Sequence, residues 1–230
     1  MPLRAIVNTA QSLSYYLRQQ EVTANNVANA NTTAFKADRV TARQLPGEEH
    51  PVPVHSTDLQ QGTFRETGRP LDLGLDGPGF FVVQTERGER LTRGGSLRLD
   101  GAGRLTDPDG SPLVTEEGPL VVNGAEVKVE ADGAVMVDGS RAGRLRVVSP
   151  EDPGALQKEG GGRYVPGGAL RAVDAERTRV RQGALEEPNV NPLTSMVDLT
   201  NIQRAYAANV QVLKAMDGVL EIVTNQVGKP

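Results

Sequence analysis

Apolar residues return every seven positions toward the end of the chain. Leu199, Tyr206, Leu213, Leu220 and Val227 form one row, and Ile202, Met216 and Val223 fill a second row three residues behind it, broken only by Asn209. A 3.5-residue period held over four heptads predicts a helix made to lie along other helices. Asn191 is a cap residue, and Pro192 suits the first turn, where its missing N–H costs nothing. Gly228 and Pro230 punctuate the far end. At about 1.5 Å per residue such a rod is on the order of 50 Å long, more than one small domain covers, so it needs partners along its length.

A second helical pattern runs over residues 2–31. Ile6, Leu13, Gln20 and Val27 fall seven apart, and Ala10, Leu17 and Ala24 extend the same face. Asn25, Asn26, Asn29 and Asn31 compete for backbone hydrogen bonds and predict a fraying end, followed by a loop to Lys36. Alternatively this Asn-rich surface is itself a contact, because each amide carries both a donor and an acceptor.

Between the helices the period falls to two. Residues 37–62 hold Pro46, Gly47, Pro51 and Pro53 and read as an extended linker. From 63 to 186 short apolar stretches alternate with turn pairs. Gly79-Phe80-Phe81-Val82-Val83 is a compact apolar strand, and Val127/Val129 and Val135/Val137 alternate with polar residues. Gly94-Gly95, Asp100-Gly101, Asp109-Gly110, Asn123-Gly124, Asp132-Gly133 and Asp138-Gly139 supply hairpin turns with positive φ. Residues 150–170 read as a loop-rich excursion, and Arg177 to Leu185 as a last strand. The predicted fold class is α+β. N- and C-terminal helices pair as a coiled-coil-like inner domain (1–36 and 187–230), and a central all-β module of short antiparallel strands (63–186) follows the linker (37–62).

Composition narrows the function. The chain has 230 residues, 3% aromatic content, no Trp and no Cys, so its core is aliphatic and thiol chemistry, disulfides and cysteine zinc sites are excluded. Net charge is −4 with no basic domain, which argues against nucleic acid as a partner. No apolar run reaches the length of a membrane span. Arg4, Asn8, Thr9 and Gln11 interrupt any signal-peptide core, which predicts a soluble chain that is not exported by the Sec route.

Candidate chemistry is sparse. His50 and His55 sit five apart in the Pro-rich segment, not the one-face spacing of a helical metal site. Asp107-Pro108-Asp109-Gly110 lacks the later ligands of a calcium loop and reads as a hairpin turn. Gly77-Pro78-Gly79 precedes a strand and no Lys-Ser/Thr, so it is not a phosphate cradle. Glu48-Glu49, Glu116-Glu117 and Glu186-Glu187 lie beside Pro or Gly and read as solvated loop charge. No cofactor and no catalytic or metal residue is expected. Interaction chemistry remains, with Ile6, Leu13, Leu17, Asn25, Asn26, Asn29, Asn189, Asn191, Leu199, Ile202, Tyr206, Leu213, Met216, Leu220 and Val223 as the candidate assembly interface.

Four stretches resemble the bacterial flagellar rod and hook proteins. Ala24 to Lys36 is similar to that family's "ANN-x-AN-x-x-T-x-G-F-K" signature, and Leu71 to Val83 to its "LD…DG-x-GFFVV" segment. Leu91 to Gly110 is similar to its "TR-x-G-x-F…DG-x-L…DG" hairpins. Gln182 to Glu186, Asn189 to Pro192 and Gln203 to Tyr206 are similar to its "G-x-LE-x-SNV(N)…QRAYE" approach to the last helix. Four departures stand out: Ala34 for Gly, Pro188 for Ser, Ala207 for Glu and Leu97 for Phe. An Ala would be strained at a positive φ, so the loop at Ala34 is expected to take a different conformation.

The resemblance implies a structural subunit, not an enzyme, exported by the flagellar type III apparatus. It implies a helical inner domain built from both termini and a β-rich outer domain. Copies would stack into the drive shaft of the basal body, outside the cytoplasmic membrane in the periplasm or cell wall, and pass torque to the hook. Partners would be other copies, more proximal rod subunits below and the distal-rod protein above. The compact β module favours the proximal over the distal rod. Two readings outside the family stay open: a β-domain enzyme using carboxylates such as Asp72 and Asp76, and an extracellular adhesin whose helices form a stalk.

Overall fold

The computed structural model describes residues 2–43, 51–124 and 126–227. It has an N-terminal helix, a C-terminal helix and a central region of antiparallel strands, as the α+β reading expects. The chain divides into two compact units: residues 1–30, 37–58 and 190–230 form one, and residues 31–36 and 59–189 the other.

The first unit is built on α1 (Pro2–Ala28) and α2 (Pro192–Val227), which pack together. The start of α2 follows from its cap. Asn191 Oδ1 accepts the amides of Leu193 and Thr194 at 3.0 and 3.2 Å, satisfying two of the donors that a helix start leaves open. At the other helix, Asn29 N donates to Asn25 O and Ala30 N to Val27 O, a tightening last turn beyond which the Asn-rich sequence stops propagating. Strands Asp38–Arg43 and Val52–Thr57 pair antiparallel, with Val40 buried opposite His55. His50, Glu48, Glu49, Pro46 and Gly47 lie outside the described residues.

The second unit holds the main core. Its six-stranded antiparallel sheet runs in the order 157–160, 163–165, 88–92, 80–85, 147–150, 170–172. Phe81 and Val83 point into one apolar cluster with Leu73, Leu75, Leu97, Leu105, Leu113 and Val135. Phe80 and Val82 enter a second cluster with Leu91, Val148 and Tyr164. A strand covered on both faces reads as a continuous apolar run, because alternate side chains meet different cores. Phe80 and Tyr164 meet edge to face at 5.4 Å.

Two expectations are corrected here. The 150–170 stretch is not only loop: strands Gln157–Gly160 and Arg163–Val165 extend the large sheet around a turn at Gly161 and Gly162. Of the expected turn pairs, Gly110, Gly133 and Gly139 do take positive φ, whereas Gly94, Gly95, Gly101 and Gly124 do not. The hairpin joining Ala134–Val137 to Ser140–Arg144 has both Asp138 (φ 47°) and Gly139 (φ 80°) in the left-handed region, as a tight two-residue turn requires.

Candidate assembly surfaces and a buried ionic anchor

The residues expected at an assembly interface fall into distinct environments. Within the helical unit, Ile202 is buried and Leu199, Tyr206, Leu213, Met216 and Leu220 are half-buried. Thr9, buried on α1, sends its hydroxyl toward Met216 Sδ at 4.0 Å, which places the heptad seam of α2 on the side of α1. Ile6 and Leu13 are half-buried, whereas Leu17 is 45% exposed. The Val223 side chain lies outside the described residues.

A second apolar row runs from the edge of that seam around the outer side of α2. Leu193 (75% exposed), Val197 (59%), Val212 (45%) and Val219 (60%) remain open to solvent, and exposed Ala208 and Ala215 continue the same line. At 100° per residue Leu193, Val197, Ala208 and Ala215 face away from Ile202 and Leu213, whereas Val212 and Val219, four and three positions from Met216, flank the seam. One apolar face of α2 is therefore covered by its own chain and the other is not.

The asparagines divide as well. Asn26 is buried, and its amide clamps the Asp38 backbone: Nδ2 donates to Asp38 O at 2.8 Å and Oδ1 accepts Asp38 N at 3.0 Å. Asn29 Nδ2 turns back to Asn25 O at 2.9 Å, and Asn25 is exposed. Asn189 belongs to the β unit, where its N donates to Phe35 O and its Nδ2 to Gln60 O.

The feature that sequence reading missed centres on Glu186. Read as solvated loop charge, it is instead 1% exposed, while its neighbour Glu187 is open. Its position on strand Ala184–Glu186, paired to Phe64–Glu66, turns the carboxylate inward. Oε1 accepts Lys36 Nζ at 2.5 Å and Gly62 N at 2.9 Å, and Oε2 accepts Arg93 Nε at 2.7 Å. Lys36 is wholly buried and also donates to Gln60 O at 2.6 Å. Arg93 spends its remaining donors on the carbonyls of Leu75, Gly77 and Gly79, at 2.7 to 3.0 Å. Two buried cations thus share one carboxylate, and backbone carbonyl dipoles take up the surplus positive charge. Gly62 is required at its site, because a Cβ there would come within 2.0 Å of Glu187 O.

Ala34 sits in the same loop with φ 58°. The expectation of a different conformation at this position is corrected: the left-handed turn is kept, with Ala34 N bonded to Glu186 O at 2.8 Å. Tertiary hydrogen bonds hold the residue where its own Cβ disfavours it.

The other candidate chemistry is placed as follows. Asp107 Oδ1 accepts the amides of Asp109 and Ser111, and Arg163 bridges Asp107 and Asp109, so this turn is closed by a guanidinium. Asp72 is 1% exposed and its Oδ1 has no hydrogen-bond partner, while Asp76 is exposed. Of the open clefts of about 650, 760 and 590 Å³, none is lined by Asp72 or Asp76; the first takes in Glu116 and Glu117, and the third Asp109 and Arg163. Among the described residues no group of three or more His, Asp or Glu could hold a metal ion. No described helix is long and apolar enough to cross a membrane.

Comparison with known proteins places this architecture. Three family models match: "Flagella basal body rod protein" over residues 8–36, "Flagellar hook protein FlgE/F/G D1 domain" over 74–137, and "Flagellar basal body rod FlgEFG protein C-terminal" over 181–227. The chain is 33% identical to the flagellar basal-body rod protein FlgF of Caulobacter vibrioides, covering 89% of each chain. It is 33% identical to FlgF of Escherichia coli, covering 93% of this chain and 94% of that one. It is 24% identical to the rod protein FlgG of Bacillus subtilis, over 97% and 98% of the two chains. The first and third family models fall on the two helical ends and the second on the β unit, so the likeness runs through both units, and the chain belongs to the flagellar basal-body rod protein family, of the proximal-rod type.

Proposed function

We propose that this chain is a structural subunit of the proximal rod. It self-assembles through its helices, with other copies and with neighbouring rod proteins, into the drive shaft that carries motor torque to the hook. It reaches that position through the flagellar type III export apparatus, outside the cytoplasmic membrane in the periplasm or cell wall, between more proximal subunits below and the distal-rod protein above. The observation that carries this reading is the pair of apolar faces on α2. The seam of Leu199, Ile202, Tyr206, Leu213, Met216 and Leu220 lies on a helix that packs on α1, with Met216 against Thr9, and on this reading it and Ile6 and Leu13 leave half-buried edges for neighbours. Leu193, Val197, Val212 and Val219 stay uncovered along a helix of 36 residues. A long helix with an uncovered apolar row gains by packing on further helices. Exposed Leu17 and the Asn25–Asn29 turn add a second edge on α1.

Deleting residues 192–230 should abolish rod assembly and swimming, and normal swimming of that strain would sink the proposal. Val197→Asp, on the outer side of α2 away from the seam, separates the roles of the two faces. It should block incorporation into isolated basal bodies while the β unit's thermal transition stays within about 2 °C of the parent, since its surface position removes no core contact.

A further inference from the structure

The chain passes between the two units four times, at 30–31, 36–37, 58–59 and 189–190. Every passage meets the β unit within a few residues of Glu186 or of its bonded partners. Ala34 N reaches Glu186 O at 2.8 Å, next to the first passage. Lys36, at the second, binds the Glu186 carboxylate and Gln60 O. Gln60 and Gly62 follow the third, and Gly62 N donates to the same carboxylate. Asn189 closes the fourth, bonded to Phe35 O at 3.2 Å and Gln60 O at 3.1 Å. Lys158 adds an outer tie, donating to Lys36 O at 2.6 Å with its ammonium 4.4 Å from the Phe35 ring centre.

From this cluster Arg93 leads directly into the core. Arg93 joins Glu186 Oε2 to the carbonyls of Leu75, Gly77 and Gly79. These lie in and beside the strands Leu73–Asp76 and Phe80–Thr85, whose side chains fill the first apolar cluster. We propose that Glu186, held between Lys36 and Arg93, is a positioning residue at the centre of a network that pins the four passages to the β unit, directly through its carboxylate at Lys36 and Gly62 and through its carbonyl and Gln60 at the other two, so that force borne by the helices enters the β core chiefly through this network. The force-bearing half of the inference rests on the rod-subunit reading, and the pinning half does not.

The use of charge supports a positional role. Buried ion pairs add little to global stability relative to apolar side chains of the same size. Apolar contacts, however, are non-directional and let segments slide, whereas charge-assisted hydrogen bonds fix distance and angle. A network that ties four chain passages without enlarging the core is suited to resisting displacement. Removing one of its members should then loosen the passages while leaving the core closed.

Hydrogen exchange on the full-length protein tests this. Lys36→Met is the first variant, because Glu186 keeps Arg93 and Gly62 as partners. Glu186→Gln, which keeps the shape and loses the charge, is the second. In both, the amides of Ala34, Gly62 and Asn189 should exchange at least tenfold faster, with those of Val82, Leu91 and Val135 unchanged. Equal acceleration at all six positions, loss of the folded state in both variants, or no acceleration at Ala34, Gly62 and Asn189 would overturn the anchor. In cells, a Lys36→Met strain should swim normally in dilute medium and lose speed in viscous medium; equal speed ratios would remove the force-bearing role. A strain lacking the chain that still swam would remove the rod reading and leave the exchange result standing.

Discussion

Ala34 shows a local preference overridden by its surroundings. Its φ of 58° costs an L-residue with a Cβ about 1 to 2 kcal/mol, and the loop accepts this because Ala34 N is tied to Glu186 O. Ala34→Gly should therefore stabilise the protein by about 0.5 to 1 kcal/mol, the relief of strain exceeding the added freedom of the unfolded chain. Urea unfolding would show it as a higher midpoint at constant slope. The departure of Ala34 from the family signature was legible in the sequence; its conformation was not, because φ is set by a partner 152 positions away. The same holds for Glu186 and Glu187. They are identical in type and adjacent, yet Glu186 is 1% exposed and the Glu187 side chain 45%, because Glu186 ends a strand buried on both faces and Glu187 lies just beyond it. Nothing in the pair itself says which of the two is inward.

Among the elements, α1 and α2 were the most legible. The cap at Asn191 and the Pro192 start are local chemistry, and the structure opens α2 at Pro192 with both cap bonds made. The apolar strand at Phe80–Thr85 was equally readable from its run of large side chains. The pairing of Asp38–Arg43 with Val52–Thr57 was not, because Pro51 and Pro53 mark extended chain without naming a partner. Asn26 connects this hairpin to α1 through two hydrogen bonds to Asp38. Asn26→Ala leaves Asp38 N and O without these partners and should cost about 1 to 3 kcal/mol. The loss should be local: proteolysis within residues 38–57 should quicken, while the β unit's unfolding transition stays put. Unchanged cleavage rates would show that the clamp carries nothing.

Across the whole molecule, the 20 arginines do much of the surface electrostatic work. The Arg90 side chain holds the Glu159 carboxyl below its usual range, with burial opposing and Arg87 adding to the effect. The Arg104 backbone amide does the same chiefly for Asp100, and the Arg144 amide for Glu117. Carboxylates depressed in the folded state contribute stability that is complete above their unfolded values, about 4, and is lost as pH falls through the lower folded ones. The melting temperature should be flat from about pH 5 to 8 and fall below about pH 4. Glu159→Gln should make that acid limb shallower, as thermal unfolding across pH 3 to 7 would show. An identical acid limb in that variant would place the titrating groups elsewhere.

What this sequence determined by itself is whatever local chemistry and periodicity encode. That covers two terminal helices, the Asn191 cap of the second, a β-rich middle, the absence of thiol chemistry, and the ordered motifs of a rod-family chain. Those features depend on neighbours within a few residues, or on a period that shows wherever the chain is read. Only the tertiary structure showed which apolar residues of α2 beyond the heptad seam stay open, among them Leu193 and Val197. Only it brought Lys36, Arg93 and Glu186 together, residues separated by 57 and 93 positions. The physical reason is that burial and ion pairing belong to the assembled core. A charge next to a proline reads the same in a loop or in an anchor until the strands that enclose it are in place.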